Sequence, residues 1–269
     1  MRAPLAAAIL TAALPGLAAA GAWTQPEGEG QVIVSGSIGV SPQFGLANDV
    51  GDTESSYTSL FVEYGVLEGL TVGGTAFVEL PEGDTRDNTS SLGFLVRKRL
   101  WQGEDGDVAS VQVGFVQPLD DVMGDQYGGP GADPTQEVSF RALYGRGFGG
   151  DWGTAFVSTE AGYHLQIDDD EDELRFDVTA GYGPDPCCLV MLSAFSTVPL
   201  GDMEDAAIKI APSFAYTFRG DVEAARKAKE AGEEPPPSIT PLTLQISVSQ
   251  DILNFSDGFG VQFSLWRPF

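Results

Sequence analysis

Six carboxylates occupy the consecutive positions Asp168-Asp-Asp-Glu-Asp-Glu173. Hard oxygen donors at that density suit Ca²⁺ or Mg²⁺. The run lacks the Asp-x-Asp-x-Asp-Gly spacing of a dedicated loop site. Asp168, Asp169, Asp170, Glu171 and Asp172 therefore read as a weak divalent-cation loop at most, and as a solvated, self-repelling turn otherwise. His164 is the only histidine. Ser158 precedes it on the same face of the same strand pattern, about 20 Å away at ~3.4 Å per residue. That is beyond the reach of a nucleophile and its base. Cys187 and Cys188 are adjacent, so on a strand they point to opposite faces, and a bond between them would need a strained turn. No His or Cys partners complete a metal site around them, and no cofactor is implied.

A second group of charged residues falls at alternate positions of extended segments: Glu63, Glu79, Arg97, Arg99, Glu137, Arg141, Glu160, His164, Arg175, Asp177, Lys209 and Arg219. If those segments are strands of a barrel, these side chains share its interior. Interior charges of both signs either pair across the barrel and lock it shut or line a water-filled passage and set its selectivity. Arg97 and Arg99, two residues apart on one face, are the candidate anion-attracting patch. The other reading is neutralisation by Glu63 or by the chain ends.

What must position these residues is legible as a two-residue period running nearly end to end. In Leu242-Thr-Leu-Gln-Ile-Ser-Val-Ser249 the separation is complete, with Leu242, Leu244, Ile246 and Val248 against Thr243, Gln245, Ser247 and Ser249. In residues 70–80, Leu70, Val72, Ala76, Val78 and Leu80 oppose Thr71, Gly73, Thr75, Phe77 and Glu79. Comparable patterns cover 30–40, 57–67, 90–101, 108–117, 136–147, 153–166, 173–183, 187–198, 206–219 and the C-terminal segment, about twelve strands in all. A soluble sandwich would also alternate. Three features favour a membrane instead. The strands run to about ten residues, the length of a tilted crossing (~9–11) rather than the soluble mode of ~5–6. Their polar face is Gly, Ser, Thr and Gln rather than Lys and Glu. Aromatic residues (Tyr64, Trp101, Tyr144, Trp152, Tyr163, Tyr182, Tyr216 and Trp266) sit near strand ends, as in interfacial girdles. The expected fold is an all-β, antiparallel up-and-down transmembrane β-barrel.

Composition agrees. With 39 Asp plus Glu against 14 Lys plus Arg, the net charge is −25, which argues against nucleic acid, whose affinity comes from basic contacts to phosphate. Arg2, the apolar run Leu5–Leu14, Pro15-Gly16 and Ala18-Ala19-Ala20 have the order of a cleaved signal peptide. Residues 1–20 are the expected leader, with cleavage after Ala22 as the alternative. The apolar run is too short to span ~30 Å of hydrocarbon.

The last strand alternates Phe259, Val261, Phe263 and Leu265 with Gly260, Gln262 and Ser264, then ends on Phe269. It resembles the closing strand of Gram-negative outer-membrane β-barrels. That resemblance implies an outer-membrane location and recognition of Phe263, Leu265 and Phe269 by the barrel-assembly machinery. Ala22-Trp-Thr-Gln-Pro-Glu-Gly-Glu-Gly-Gln31 resembles the start of the outer-membrane transporter family of the phenol-degradation (MetA-pathway) type. That likeness implies a barrel passing hydrophobic or aromatic compounds, and carries no functional motif with it.

Counting back from a periplasmic C-terminus puts Glu68-Gly69, 103–107, 149–151 and 184–186 on the periplasmic side as short turns. The longer connections 41–55, 81–88, 118–134, 167–172 and 199–205 then face outwards, carrying about half of the acids towards lipopolysaccharide, whose phosphates divalent cations bridge. The charged insertion at 220–240, centred on Asp221–Glu234 and ending in Pro235-Pro236-Pro237, falls in the periplasm as a partly helical appendage, a partner-docking element or a plug. The expected function is a passive channel for small solutes, hydrophobic or aromatic ones among them. The rival is a non-conducting structural or surface-interaction barrel with acidic, cation-binding loops. A membrane-embedded hydrolase comes third, since no motif of the outer-membrane phospholipase is seen.

Overall fold

The structure is a computed structural model that describes residues 21–40, 53–81, 89–104, 106–119, 136–167, 171–201, 206–218, 241–253 and 259–269. Within these, twelve strands appear: β1 (Gly30–Val40), β2 (Thr53–Leu67), β3 (Leu70–Pro81), β4 (Thr89–Gln102), β5 (Val108–Pro118), β6 (Glu137–Gly150), β7 (Gly153–Gln166), β8 (Glu173–Asp185), β9 (Cys188–Pro199), β10 (Ala207–Phe218), β11 (Leu242–Asp251) and β12 (Phe259–Pro268). Each pairs antiparallel with its neighbours in sequence, and β1 pairs with β12 from Gln31↔Pro268 to Val40↔Phe259. The sheet is a closed, all-β up-and-down barrel, so none of its strands is left as an edge. The charged insertion at 220–240 and Asp168, Asp169 and Asp170 lie outside the described residues.

Closure is finished by a pair of hydrogen bonds. Gly30 N–H donates to the Phe269 carbonyl and Phe269 N–H to the Gly30 carbonyl, both at 2.9 Å. The Phe269 ring stacks on Tyr64, with centroids 6.3 Å apart. A Cβ at position 30 would lie 2.5 Å from that ring, so glycine opens the space the terminal aromatic fills. Apart from the β10–β11 connection, the connections at this terminal end are short. Between β2 and β3 there are only Glu68 and Gly69, and Gly69 takes φ +68°, a left-handed conformation that side chains resist.

The two-residue period sorts side chains as it should. Val34, Leu60, Phe94, Val113, Phe140, Phe176, Leu192, Phe214, Ile246 and Phe263 are all exposed on the outside of the wall. Their partners on the alternate positions, such as Ser35, Gln112, Ser139, Ser158 and Ser264, are buried within. This arrangement inverts a water-soluble protein and suits a wall in hydrocarbon. Trp266 departs from the expected aromatic girdle. Even-numbered residues of β12 point inwards, so Trp266 is a buried member of an interior cluster with Phe156, Met191 and Ala215. At the β10–β11 seam the register is constant, but pairing is interrupted between Ile210↔Gln250 and Ser213↔Ser247. Pro212, which has no N–H to donate, occupies this gap.

A lipid-facing wall makes a quantitative demand. Ile246→Arg should lower the unfolding free energy measured by denaturant titration in lipid vesicles by about 2–4 kcal/mol, the cost of a cation near the midplane. Ser247→Arg, on the alternate face, should cost less. Equal costs would show that the two faces are misassigned.

Candidate functional site

The interior at the terminal end is built around one ion pair. Glu63 on β2 is fully buried, and Arg97 on β4 nearly so. Arg97 Nη2 meets Glu63 Oε1 at 3.0 Å. The other carboxylate oxygen accepts from Gln25 Nε2 at 3.1 Å and from Gln31 Nε2 at 3.2 Å. The guanidinium in turn donates from Nε to Gln112 Oε1 and from Nη1 to the Trp23 carbonyl, each at 3.0 Å. Two opposite charges in a site closed to water need such a full set of partners.

Two of those partners, Gln25 and Trp23, belong to a segment that is not a barrel strand. Residues 21–29 enter the barrel before β1 begins and fold back along its inner face. Glu27 makes a bridge to Gly65, flanked by Gly28 N–H to the Gly65 carbonyl (2.8 Å) and Gly65 N–H to the Glu29 carbonyl (2.9 Å). Gln25 N–H donates to Thr71 Oγ1 at 2.7 Å, and Ser110 Oγ donates to the Ala22 carbonyl at 2.5 Å. Trp23 packs edge-on to Phe156, with centroids 6.0 Å apart, and joins two interior clusters, one with Met191, Ala215 and Trp266 and one with Ala22, Val108 and Leu143.

Missing side chains make the seat. A Cβ on Gly65 would fall 2.0 Å from the Pro26 carbonyl oxygen, and one on Gly145 would fall 2.6 Å from the Trp23 ring. One on Gly181 would fall 2.1 Å from the Phe156 ring. Around this segment every strand contributes a buried inward residue: Gln31, Glu63, Thr71, Arg97, Ser110, Leu143, Phe156, Gly181, Met191, Ala215, Thr243 and Trp266. The terminal end of the lumen is therefore packed like a core.

Beyond the packed end the lumen opens into a cavity of about 410 Å³. Ser35, Ser158, Thr179, Ser193, Gln245, Gln262 and Ser264 give it hydroxyl and amide groups, and Ile33, Phe61, Phe195 and Trp266 add apolar surface. Its charged residues are Arg141, Glu160 and Asp177. Arg141 Nη1 meets Glu160 Oε2 at 3.4 Å, while Glu160 and Asp177 face each other in register across β7 and β8. Nearer the opposite end, His164 Nδ1 lies 2.7 Å from Glu137 Oε1. Arg175 joins this group through Glu137 (3.2 Å) and Glu173 (2.7 Å).

The interior charges thus separate into three groups, and Arg97 and Arg99 do not act as one patch. Arg97 is buried against Glu63, whereas Arg99 sits at the rim, paired at 3.0 Å with the exposed Glu68 of the β2–β3 turn. Lys209 is exposed and in register with Asp251 and Phe195. Glu79 pairs through its backbone with Tyr57 and Thr89, and its side chain is outside the described residues, as is all of Arg219. Of the acidic run, Glu171 and Asp172 are described. Asp172 accepts from the Tyr163 hydroxyl and from Gln166 N–H, a turn-fastening role. Among the described residues no three His, Cys, Asp or Glu side chains gather as a metal site.

His164 is fully buried, and among the described residues its Nε2 has no hydrogen-bond partner. Cys187 and Cys188 are free thiols, and Asp185 Oδ1 accepts from both of their N–H groups at 2.7 and 2.9 Å. What sequence reasoning missed is the 21–29 segment. It has no strand period, and its one signal was an aromatic, Trp23, and a glutamine, Gln25, in a stretch the alternation left unassigned.

No protein-family model matches the chain, and no curated protein does. Among solved structures the fold is similar to that of the KdgM porin, at 5% identity and TM-score 0.57, over 89% of this chain and 99% of that one. It is also similar to the COG4313 outer membrane channel from Pseudomonas putida F1, at 15% identity and TM-score 0.54, over 91% and 97%. At these identities the likeness is one of fold.

The ion pair can be tested directly. Arg97→Met strands the Glu63 carboxylate without its cation and should destabilise the barrel by about 3–5 kcal/mol. The double variant Glu63→Gln/Arg97→Met should recover much of that loss in the same unfolding titration. A double variant as unstable as the single one would mean that packing of the arginine stem, not charge, holds the site.

Proposed function

We propose that the protein is a narrow, passive outer-membrane channel for small hydrophilic solutes, stoppered at its periplasmic mouth by residues 21–29. The observation that carries this reading is a polar cavity inside a closed, apolar-walled barrel. One end of it is filled by a segment outside the hydrogen-bonded ladder. A hydrocarbon solvent is what the outer wall fits, and short connections at the terminal end favour its placement in the periplasm. The likeness of fold to a porin and an outer membrane channel supports the same assignment. The C-terminal ridge of Phe263, Leu265 and Phe269 is then the surface offered to the assembly machinery, and the acidic outer loops face lipopolysaccharide.

The cavity lining bears on the solute. Hydroxyl, amide and charged side chains outnumber apolar ones in the lining and favour solutes that hydrogen-bond, while Ile33, Phe61, Met191, Phe195 and Trp266 leave apolar surface for the hydrophobic or aromatic compounds implied by residues 22–31. Passage requires residues 21–29 to leave their seat, because they pack with the buried inward residues of the terminal cross-section. A non-conducting structural barrel is the second reading, favoured by that same packing.

Deleting residues 21–29 leaves β1 intact from Gly30. The deleted protein, reconstituted in planar bilayers, should conduct severalfold more than the full mature chain. Equal conductance in both would show that the segment does not occlude, and silence in both would establish the non-conducting reading.

A further inference from the structure

Glu160 and Asp177 present a charge problem that the described side chains do not solve. They are opposite one another in register on the inner face of β7 and β8, where like charges repel. The cavity they line holds one cationic side chain, Arg141, already 3.4 Å from Glu160. Among the described side chains that line the cavity, two carboxylates thus face one cation. Beside them, Ser158 is 3% exposed, and its Oγ has no hydrogen-bond partner. A buried hydroxyl left in that state costs about 1–3 kcal/mol.

Gly21 lies against these groups. It lines the same cavity and takes φ +88°, and a Cβ built on it would be 1.7 Å from Ser158 Oγ and 3.6 Å from Glu160 Oε1. Gly21 is thus packed close against Ser158 and Glu160.

We infer that the chain is cut at the Ala20–Gly21 peptide bond and that the new α-ammonium of Gly21 is a second cation, held by Glu160, Asp177 and Ser158 inside the barrel. A signal-peptidase-type hydrolase adds one water across that bond. Ala20 leaves with the carboxylate and Gly21 keeps the amine, protonated near neutral pH at an ordinary α-amino pKa of ~8. Ala18 and Ala20 supply the small residues that such processing requires.

The alternative cut after Ala22 fits poorly. It would remove Ala22, which is fully buried and accepts from Ser110 Oγ. It would also place the ammonium on Trp23, whose carbonyl already receives the Arg97 guanidinium at 3.0 Å. On this account processing does more than release the barrel from its leader. It creates the charge that anchors the tip of the lumen segment, whether or not the barrel conducts.

Two measurements on the protein purified from outer membranes decide the matter. Terminal sequencing and intact mass should give a chain beginning at Gly21, and a start at Trp23 or an uncut leader overturns the inference. Acetylation of the folded protein by an amine-reactive ester should then modify Gly21 at least about tenfold more slowly than the exposed Lys209, as expected for a group reached only by local opening. Glu160→Gln/Asp177→Asn, checked for folding by heat-modifiable gel migration, should abolish most of that protection. An amine that reacts as fast as Lys209 in the parent protein overturns the seat. So does protection that the double variant leaves unchanged.

Discussion

The Arg97–Glu63 pair is the contact around which the terminal end of the barrel is organised. Each charge is buried deeply enough that leaving it alone would cost several kcal/mol. Neighbours supply further hydrogen bonds to both groups. Gln31 and Gln112 come from adjacent strands, whereas Gln25 and the Trp23 carbonyl come from residues 21–29. A charge pair placed by two strands thus recruits a third element that belongs to neither. That recruitment turns an open cylinder into a barrel closed at one end.

Packing reinforces what the charges begin. Trp23 is wedged between two small apolar clusters, and the glycines at 65 and 145 are the hollows that admit Pro26 and Trp23. The interior hence has two regimes. At the terminal end it is dense, with apolar clusters beside one buried ion pair and its polar neighbours. Above that it is lined by hydroxyls, amides and separated charges around an open cavity. The segment is held by two backbone hydrogen bonds to Gly65 and by contacts with wall side chains, all outside the strand-to-strand ladder that defines the barrel. This separates occlusion from structural integrity.

Much of the fold was legible in the chain. Alternation located all twelve strands, because an apolar wall and a polar lumen impose opposite chemistries on successive residues. Glu63, Arg97, Arg141, Glu160, His164, Arg175 and Asp177 lie on inward positions. Alternation failed at Trp266, where an aromatic near a strand end reads as an interfacial anchor although the even-numbered face of β12 points inwards. Alternation could not say which interior charges meet, and Arg97 and Arg99 show why. They share a strand and a face, yet one reaches Glu63 in the interior and the other reaches a rim turn. Position across the barrel, not spacing along the strand, chooses the partner.

By itself the sequence determined a closed, twelve-stranded antiparallel barrel with an apolar outer wall, because the two-residue period acts locally and survives into the fold unchanged. The tertiary structure alone decided the pairing of Glu63 with Arg97, the seat of Trp23 and the lodging of Gly21 beside Glu160. Those contacts join residues dozens to more than a hundred positions apart. Their energies come from burial and charge compensation, which exist only once the cylinder has closed around them.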